Sequence, residues 1–157
     1  MKREVASPPQ DNSQWLEWLA YIRDEADLAV LEEICCGQIS AVTPFFCEQL
    51  VRTAEFALRR SAKLFSREIN ERLEFGEIDS LIVPFRRFRR DVARIKLLAG
   101  IGGLNEEIAR ELAESVAENA ERVWAETLRI LSAQARESHS AAIEDTVRQI
   151  RRLNLSE

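Results

Sequence analysis

The residues best suited to chemistry in this sequence form one run, Phe85-Arg86-Arg87-Phe88-Arg89-Arg90. Guanidinium groups pair with phosphate oxygens and aromatic rings stack on bases, so the run could bind a nucleic acid. As a basic amphipathic helix it could also lie on an anionic lipid surface. The plainer alternative is that Phe85 and Phe88 are core residues and the arginines pair with acids of neighbouring helices. The spacing favours this alternative, because rings that stack on bases must be exposed and these two lie on the apolar side of a helix.

Further basic residues precede and follow this run and extend the possible anion-binding set. The candidate contacts for an anion or a nucleic acid are Arg59, Arg60, Lys63, Arg67, Arg86, Arg87, Arg89, Arg90 and Arg94. The net charge of −5 opposes such a function. Its distribution is uneven: residues 1–51 carry 3 basic and 9 acidic groups, residues 52–98 carry 12 and 7, and residues 99–157 carry 7 and 11. The basic middle could be neutralised within the chain or could face an anionic partner.

Metal-ligating residues are few. The three cysteines, Cys35, Cys36 and Cys47, could in principle join the only histidine, His139, in a zinc site. The spacing opposes this, because adjacent residues of a helix point about 100° apart and no Cys-x₂-Cys pair is present. We therefore expect the cysteines to be small buried apolar residues, with one of them near the surface, and we expect no metal and no cofactor.

A catalytic arrangement is suggested only superficially. His139 stands between Ser138 and Ser140 and closely follows Glu137, but neighbours along one helix do not converge on a common point. This group therefore predicts a polar kink. The Gly100–Gly103 segment follows a helix and not a strand, so it predicts a helix–helix turn and not a phosphate-binding loop. We predict no catalytic residue and no enzyme, although a carboxylate-based activity among the many glutamates stays open.

The first predicted helix is apolar on two sides, which points to an interface. One stripe contains Trp15 and Leu19, and a second stripe contains Trp18. A single four-helix bundle cannot easily bury both stripes, and tryptophan is enriched at binding hot spots. The predicted partner interface consists of Trp15, Trp18, Tyr21, Leu28 and Leu31.

Helices must position all of these candidates, because apolar residues recur in steps of three and four and the chain has only five glycines and four prolines. The sequence predicts an all-α fold, an antiparallel helical bundle of about four principal helices with a long C-terminal helix. Residues 1–10 are expected to be a flexible tail, and residues 11–157 a single helical domain. The expected helices cover residues 13–36, 44–75, 84–99 and 105–153, with a possible break near 138–140. Thr43-Pro44 and Asn105-Glu106-Glu107 are helix start signals.

The compartment is predicted from what the sequence lacks. No run of 18 apolar residues is present, the first ten residues have no apolar signal core, and the cysteine count is odd. These features indicate a cytoplasmic protein, and a membrane partner is not expected.

The sequence as a whole predicts a non-enzymatic helical interaction protein, acting as an adaptor, a regulator or an assembly subunit. It would bind a protein partner or a second copy of itself, as a homodimer or in a larger assembly, through apolar helix faces. The alternative is a nucleic-acid-binding subunit that uses the arginine-rich third helix and the basic part of the second helix in one groove.

Overall fold

The structure is a computed structural model that describes residues 7–25 and 28–155, without the side chain of Glu25. The described part of the chain is 78% helical and contains no strand, which confirms the prediction of an all-α fold. Most of the predicted tail, residues 1–6, lies outside the described residues, and so do Ala26 and Asp27 of the first predicted helix.

The described residues form six α-helices: α1 (Asn12–Glu25), α2 (Val30–Ile34), α3 (Pro44–Glu74), α4 (Ile82–Lys96), α5 (Glu106–Glu137) and α6 (Ala141–Arg151). Two short 3₁₀ helices, Ile78–Ser80 and Leu97–Gly100, adjoin α4 on either side. The longest helix, α5, has 32 residues and is therefore about 48 Å long at ~1.5 Å per residue.

The first predicted helix, 13–36, is present as two separate helices, α1 and α2. Asp24 lies in the last turn of α1, where the negative end of the helix dipole disfavours an acidic side chain, and Arg23 is the one basic residue of that turn. The sequence pattern favoured one helix because the apolar stripe continues across the break to Leu31 and Ile34.

Side-chain caps fix where three of the helices begin. At α3 the Thr43 hydroxyl accepts a hydrogen bond from the Phe46 amide at 3.1 Å. At α5 the Asn105 side chain accepts one from Glu107 at 2.8 Å. Residues 138–140 separate α5 from α6, and there the Ser140 hydroxyl accepts a hydrogen bond from the Ile143 amide at 3.2 Å. Each cap satisfies an amide that the helix leaves without an internal partner.

The chain divides into two compact units. Unit 1 comprises Met1–Arg60 and Asp91–Val116, and unit 2 comprises Ser61–Arg90 and Ala117–Glu157. The boundaries fall inside α3, α4 and α5 and not in linkers, which is why composition and turn signals in the sequence indicate one domain only.

In unit 1 two loops are joined by backbone hydrogen bonds. The Ile39 amide donates to the Gly102 carbonyl at 2.9 Å, and the Gly102 amide donates to the Gly37 carbonyl at 3.1 Å. Gly37 is required here for space: a Cβ would lie 2.6 Å from the Pro9 carbonyl oxygen and 2.8 Å from the Trp15 ring. Gly37 does not adopt a positive φ, which among the described glycines occurs at Gly76 and Gly103.

We predict that Gly37→Ala lowers the free energy of unfolding by about 1–3 kcal/mol, because the added methyl group overlaps backbone and indole atoms. Urea unfolding measures the change. Gly100→Ala is the matched control, since nothing lies within 4 Å of a Cβ there. Equal effects of the two substitutions would contradict the close packing around Gly37.

Candidate functional site

The predicted partner interface on the first helix is buried by the chain itself. Trp15 is 0% exposed, Trp18 8%, Leu28 8% and Leu31 1%. The Trp15 indole also donates a hydrogen bond to the Gln38 carbonyl at 3.0 Å, and the Trp18 ring makes an edge contact with the half-buried Tyr21. One chain thus buries four of these five side chains, contrary to the expectation for two apolar stripes, and Tyr21 is half-buried.

The two phenylalanines of the arginine-rich run lie in the core of unit 2. Phe85 and Phe88 are both 0% exposed. Phe65 stacks on Phe88 with ring centroids 4.7 Å apart, and its edge contact with Phe85 has the same centroid distance. Phe85 also contacts Trp124, with centroids 4.9 Å apart. These rings therefore cannot stack on bases, and the plainer interpretation of the run holds for them.

Three of the candidate arginines, Arg67, Arg87 and Arg94, form ion pairs within their own unit. In unit 2 a guanidinium nitrogen of Arg87 donates to a Glu68 carboxylate oxygen. In unit 1 Arg94 donates to Glu32 at 3.1 Å, and its second nitrogen lies 3.9 Å from an Asp91 oxygen. The basic middle of the chain is thus partly neutralised internally, as one of the two sequence alternatives proposed.

Arg67 forms the third of these ion pairs, and two further candidates, Arg60 and Arg89, donate hydrogen bonds to backbone oxygens. Arg67 lies 3.9 Å from Glu71, Arg60 donates to the backbone oxygen of Arg23, and Arg89 donates to that of Asn154 at 3.5 Å. The remaining four, Arg59, Lys63, Arg86 and Arg90, are exposed and have no acidic partner in the part of the chain that the structure describes. The groove that would unite them draws residues from both units and stays a prediction.

An exposed stripe on the unit 1 part of α3 carries aromatic and basic residues that the sequence interpretation did not assign to an interface. We call it the α3 face and define it as Phe45, Arg52, Phe56 and Arg59. Helical geometry places these four within about 60° around the axis. Phe45 is 59% exposed and Phe56 44% exposed, and the Arg60 guanidinium lies 5.0 Å from the Phe56 ring centroid.

The spacing of the α3 face could have revealed it. Its members follow one another in steps of seven, four and three, which is a helical stripe. Residue type alone would group Phe56 with the buried apolar residues of this helix, but its position on the helix places it on the exposed stripe. Phe46, Leu50 and Ala54 form the buried side of this helix, each at most 1% exposed.

The residues around His139 do not form a triad. The Ser138 hydroxyl donates to the Gln134 carbonyl at 2.7 Å, and the Ser140 hydroxyl caps α6. His139 is exposed and has a φ of 51°, in the left-handed region. The polar kink is therefore a helix junction in which both hydroxyls serve the backbone.

The three cysteines belong to unit 1, whereas His139 belongs to unit 2. Cys35, Cys36 and Cys47 are free thiols; Cys36 is exposed and the other two are half-buried, with the Cys35 thiol 3.4 Å from the Glu32 carbonyl oxygen. The described residues contain no group of three or more potential ligands that could hold a metal ion. Nor does any described helix combine the length and apolar character needed to cross a membrane.

One exposed ion pair perturbs the titration of its members. Arg129 donates to both carboxylate oxygens of Glu126, at 3.0 and 2.6 Å. These hydrogen bonds lower the pKa of Glu126 and raise the pKa of Arg129. The pair lies on the solvent side of α5, where salt screens it, so we assign it no functional role.

Protein-family models, curated proteins and solved structures contain no match to this chain.

We predict that Phe88→Ala lowers the free energy of unfolding by about 3–5 kcal/mol, because it leaves a cavity against Phe65 in the core of unit 2. Phe56→Ala, on the exposed α3 face, should cost about 1 kcal/mol or less. Chemical denaturation of both variants tests the assignment. A small loss for Phe88→Ala would contradict the core position of the arginine-rich run's phenylalanines.

Proposed function

We propose that this protein is a non-enzymatic helical interaction protein that self-associates through the α3 face. The observation that carries the proposal is the exposure of Phe45 and Phe56, 59% and 44%, on one stripe with arginines. Phenylalanine and arginine are both enriched at protein interfaces relative to the rest of the surface. The proposed interface therefore lies on α3, and not on the first helix as the sequence predicted.

The chemistry of the α3 face favours a partner that is apolar at its centre and acidic at its rim. Phe45 and Phe56 would lose their contact with water on binding, which is the main source of affinity. Arg52 and Arg59 are exposed, have no acidic partner among the described residues, and would steer an acidic surface. Glu48 and Glu55 are exposed on the flank of the same helix and restrict how a strongly acidic partner can approach.

A second copy of the chain would supply the acidic part of such a surface. Asp24 on α1 and Glu33 on α2 are exposed acids of the same unit. In a two-fold symmetric dimer each copy presents both the α3 face and these acids, so the same contact forms twice. The chain is acidic as a whole, with a net charge of −5, which makes contacts between basic and acidic surfaces the favourable ones for a pair of copies.

We further propose that the protein works in a reducing compartment such as the cytoplasm. The three free thiols support this, since Cys36 is exposed and would be open to oxidation elsewhere. No catalytic residue, cofactor or metal enters the proposal.

We predict that the double variant Phe45→Ser/Phe56→Ser weakens self-association on the order of tenfold or more, because it removes both apolar anchors. Sedimentation velocity over a range of protein concentrations measures the dissociation constant. The matched control is Phe75→Ser, which replaces the most exposed phenylalanine, 75%, at the end of the same helix in unit 2.

Two outcomes would contradict the α3 assignment. Unchanged association in the double variant would place the interface elsewhere, and an equal loss in Phe75→Ser would show that any exposed apolar group suffices. Circular dichroism on each variant verifies that the helices are retained.

A second candidate function, nucleic-acid binding, is favoured by one observation: Arg86 and Arg90 lie one turn apart on α4 and are exposed. Neither has an acidic partner among the described residues, so both could neutralise phosphates.

For this alternative, Arg86→Glu/Arg90→Glu should abolish salt-sensitive binding of a single-stranded oligonucleotide in fluorescence anisotropy while leaving the fold intact. The control Arg122→Glu/Arg129→Glu makes the same charge change on α5. Retained affinity in the α4 variant, or equal loss in both variants, would exclude a specific role for α4.

A further inference from the structure

A cleft lies in unit 2 at the junction of α5 and α6. Its volume is about 690 Å³, within the range of small-molecule sites. Three arginines and the only histidine of the chain line it together with one carboxylate: Arg136, Arg148, Arg151, His139 and Glu144. Its apolar members are Ala135 and Val147, which are 8% and 5% exposed, and Ala141, which is exposed.

The arginines of the cleft differ in how they are held. Arg148 forms ion pairs with two acids of its own helix, Glu144 at 3.2 Å and Asp145 at 3.3 Å. The charges of Arg148 and of the Glu144 carboxylate, which also lines the cleft, therefore largely neutralise each other. Arg151 has no acidic partner among the described residues and donates to the Ser132 hydroxyl at 3.3 Å. The Arg136 side chain is exposed and has neither an acidic nor a hydrogen-bond partner among the described residues. Two guanidinium groups are therefore available to an anion in the cleft.

His139 reaches the cleft at a conformational cost. It occupies the position after α5 that glycine usually takes: the Ser140 amide donates to the Ala135 carbonyl at 3.0 Å and the His139 amide to Arg136 at 3.4 Å. The same arrangement ends α3, where the equivalent residue is Gly76 with a φ of 69°. A side chain with a φ of 51° is strained, and such strain concentrates at functional sites.

We propose that this cleft binds the phosphoryl group of a small organic phosphate. Planar guanidinium groups match phosphate oxygens in pairs of hydrogen bonds, and Arg136 and Arg151 supply two such groups. The imidazole of His139 supplies a further donor at the same opening. The cleft is larger than a phosphate ion needs, and its apolar members would contact the organic part of the ligand. This site is independent of the α3 face.

The single histidine makes the site directly observable. The imidazole resonances of His139 are followed by NMR while phenyl phosphate, inorganic phosphate or sodium chloride of equal ionic strength is added. We expect a saturable shift with phenyl phosphate at about tenfold lower concentration than with inorganic phosphate, since the ring adds apolar contact. Sodium chloride should give no saturable shift.

Variants separate a specific site from general attraction to a basic surface. Arg136→Gln and Arg151→Gln should each weaken phenyl phosphate binding about tenfold, as expected for one charged hydrogen-bonding group. Arg152→Gln, an exposed neighbour that does not line the cleft, should bind like the wild type. The proposal is overturned by equal loss in all three variants, or by no saturable shift with either phosphate. Equal affinity for phenyl phosphate and inorganic phosphate would overturn the claim that the cleft contacts the organic part of the ligand.

His139→Gly tests whether strain is retained for binding. Glycine relieves the left-handed conformation, so the midpoint of urea unfolding should rise while phenyl phosphate binding, measured by calorimetry, weakens. A variant that is more stable and binds equally well would remove His139 from the site.

Discussion

The packing of Phe65 against Phe85, Phe88 and Trp124 is the constraint on which the surface of unit 2 depends. Because Phe85 and Phe88 are fixed inward, the arginines between and after them must point elsewhere. Arg87 meets Glu68 and Arg89 meets the Asn154 backbone, while Arg86 and Arg90 face solvent. A run that looks like one basic motif in the sequence is thus divided by its aromatic neighbours into residues that hold the chain together and residues that are free to bind.

Helix starts were predictable because their causes are local. Thr43, Asn105 and Ser140 each place a side-chain acceptor beside amides that the following helix cannot satisfy, and a few residues of sequence contain that information. The separation of α1 from α2 was not predictable from the apolar stripe, because that stripe runs through both helices. The role of Gly37 was also hidden, because it depends on Pro9 and Trp15, which approach it only in the fold.

The candidate surfaces were missed for a common reason: exposure depends on packing, whereas sequence gives residue type. Tryptophans suggested an interface, yet Trp15 is fully covered by its own chain, and the exposed aromatic residues of unit 1 are Phe45 and Phe56. His139 suggested only a kink, because its cleft is formed by α6 residues such as Arg148 and Arg151, nine and twelve positions further on. In the α3 face and in the cleft, charged groups lie beside apolar ones on a side of a helix that the core does not cover.

The central claim is that the chain associates with itself through an apolar contact, and that charged residues orient the two copies. The most direct measurement is the molar mass of the purified protein by light scattering in low and high salt, with absorbance at 260 and 280 nm recorded together. The proposal predicts a dimer at both salt levels, without excess absorbance at 260 nm. Because the chain mass is 18.0 kDa, this dimer would have a mass of about 36 kDa. A monomer in both salts would contradict self-association, and excess 260 nm absorbance that salt removes would favour nucleic-acid binding instead.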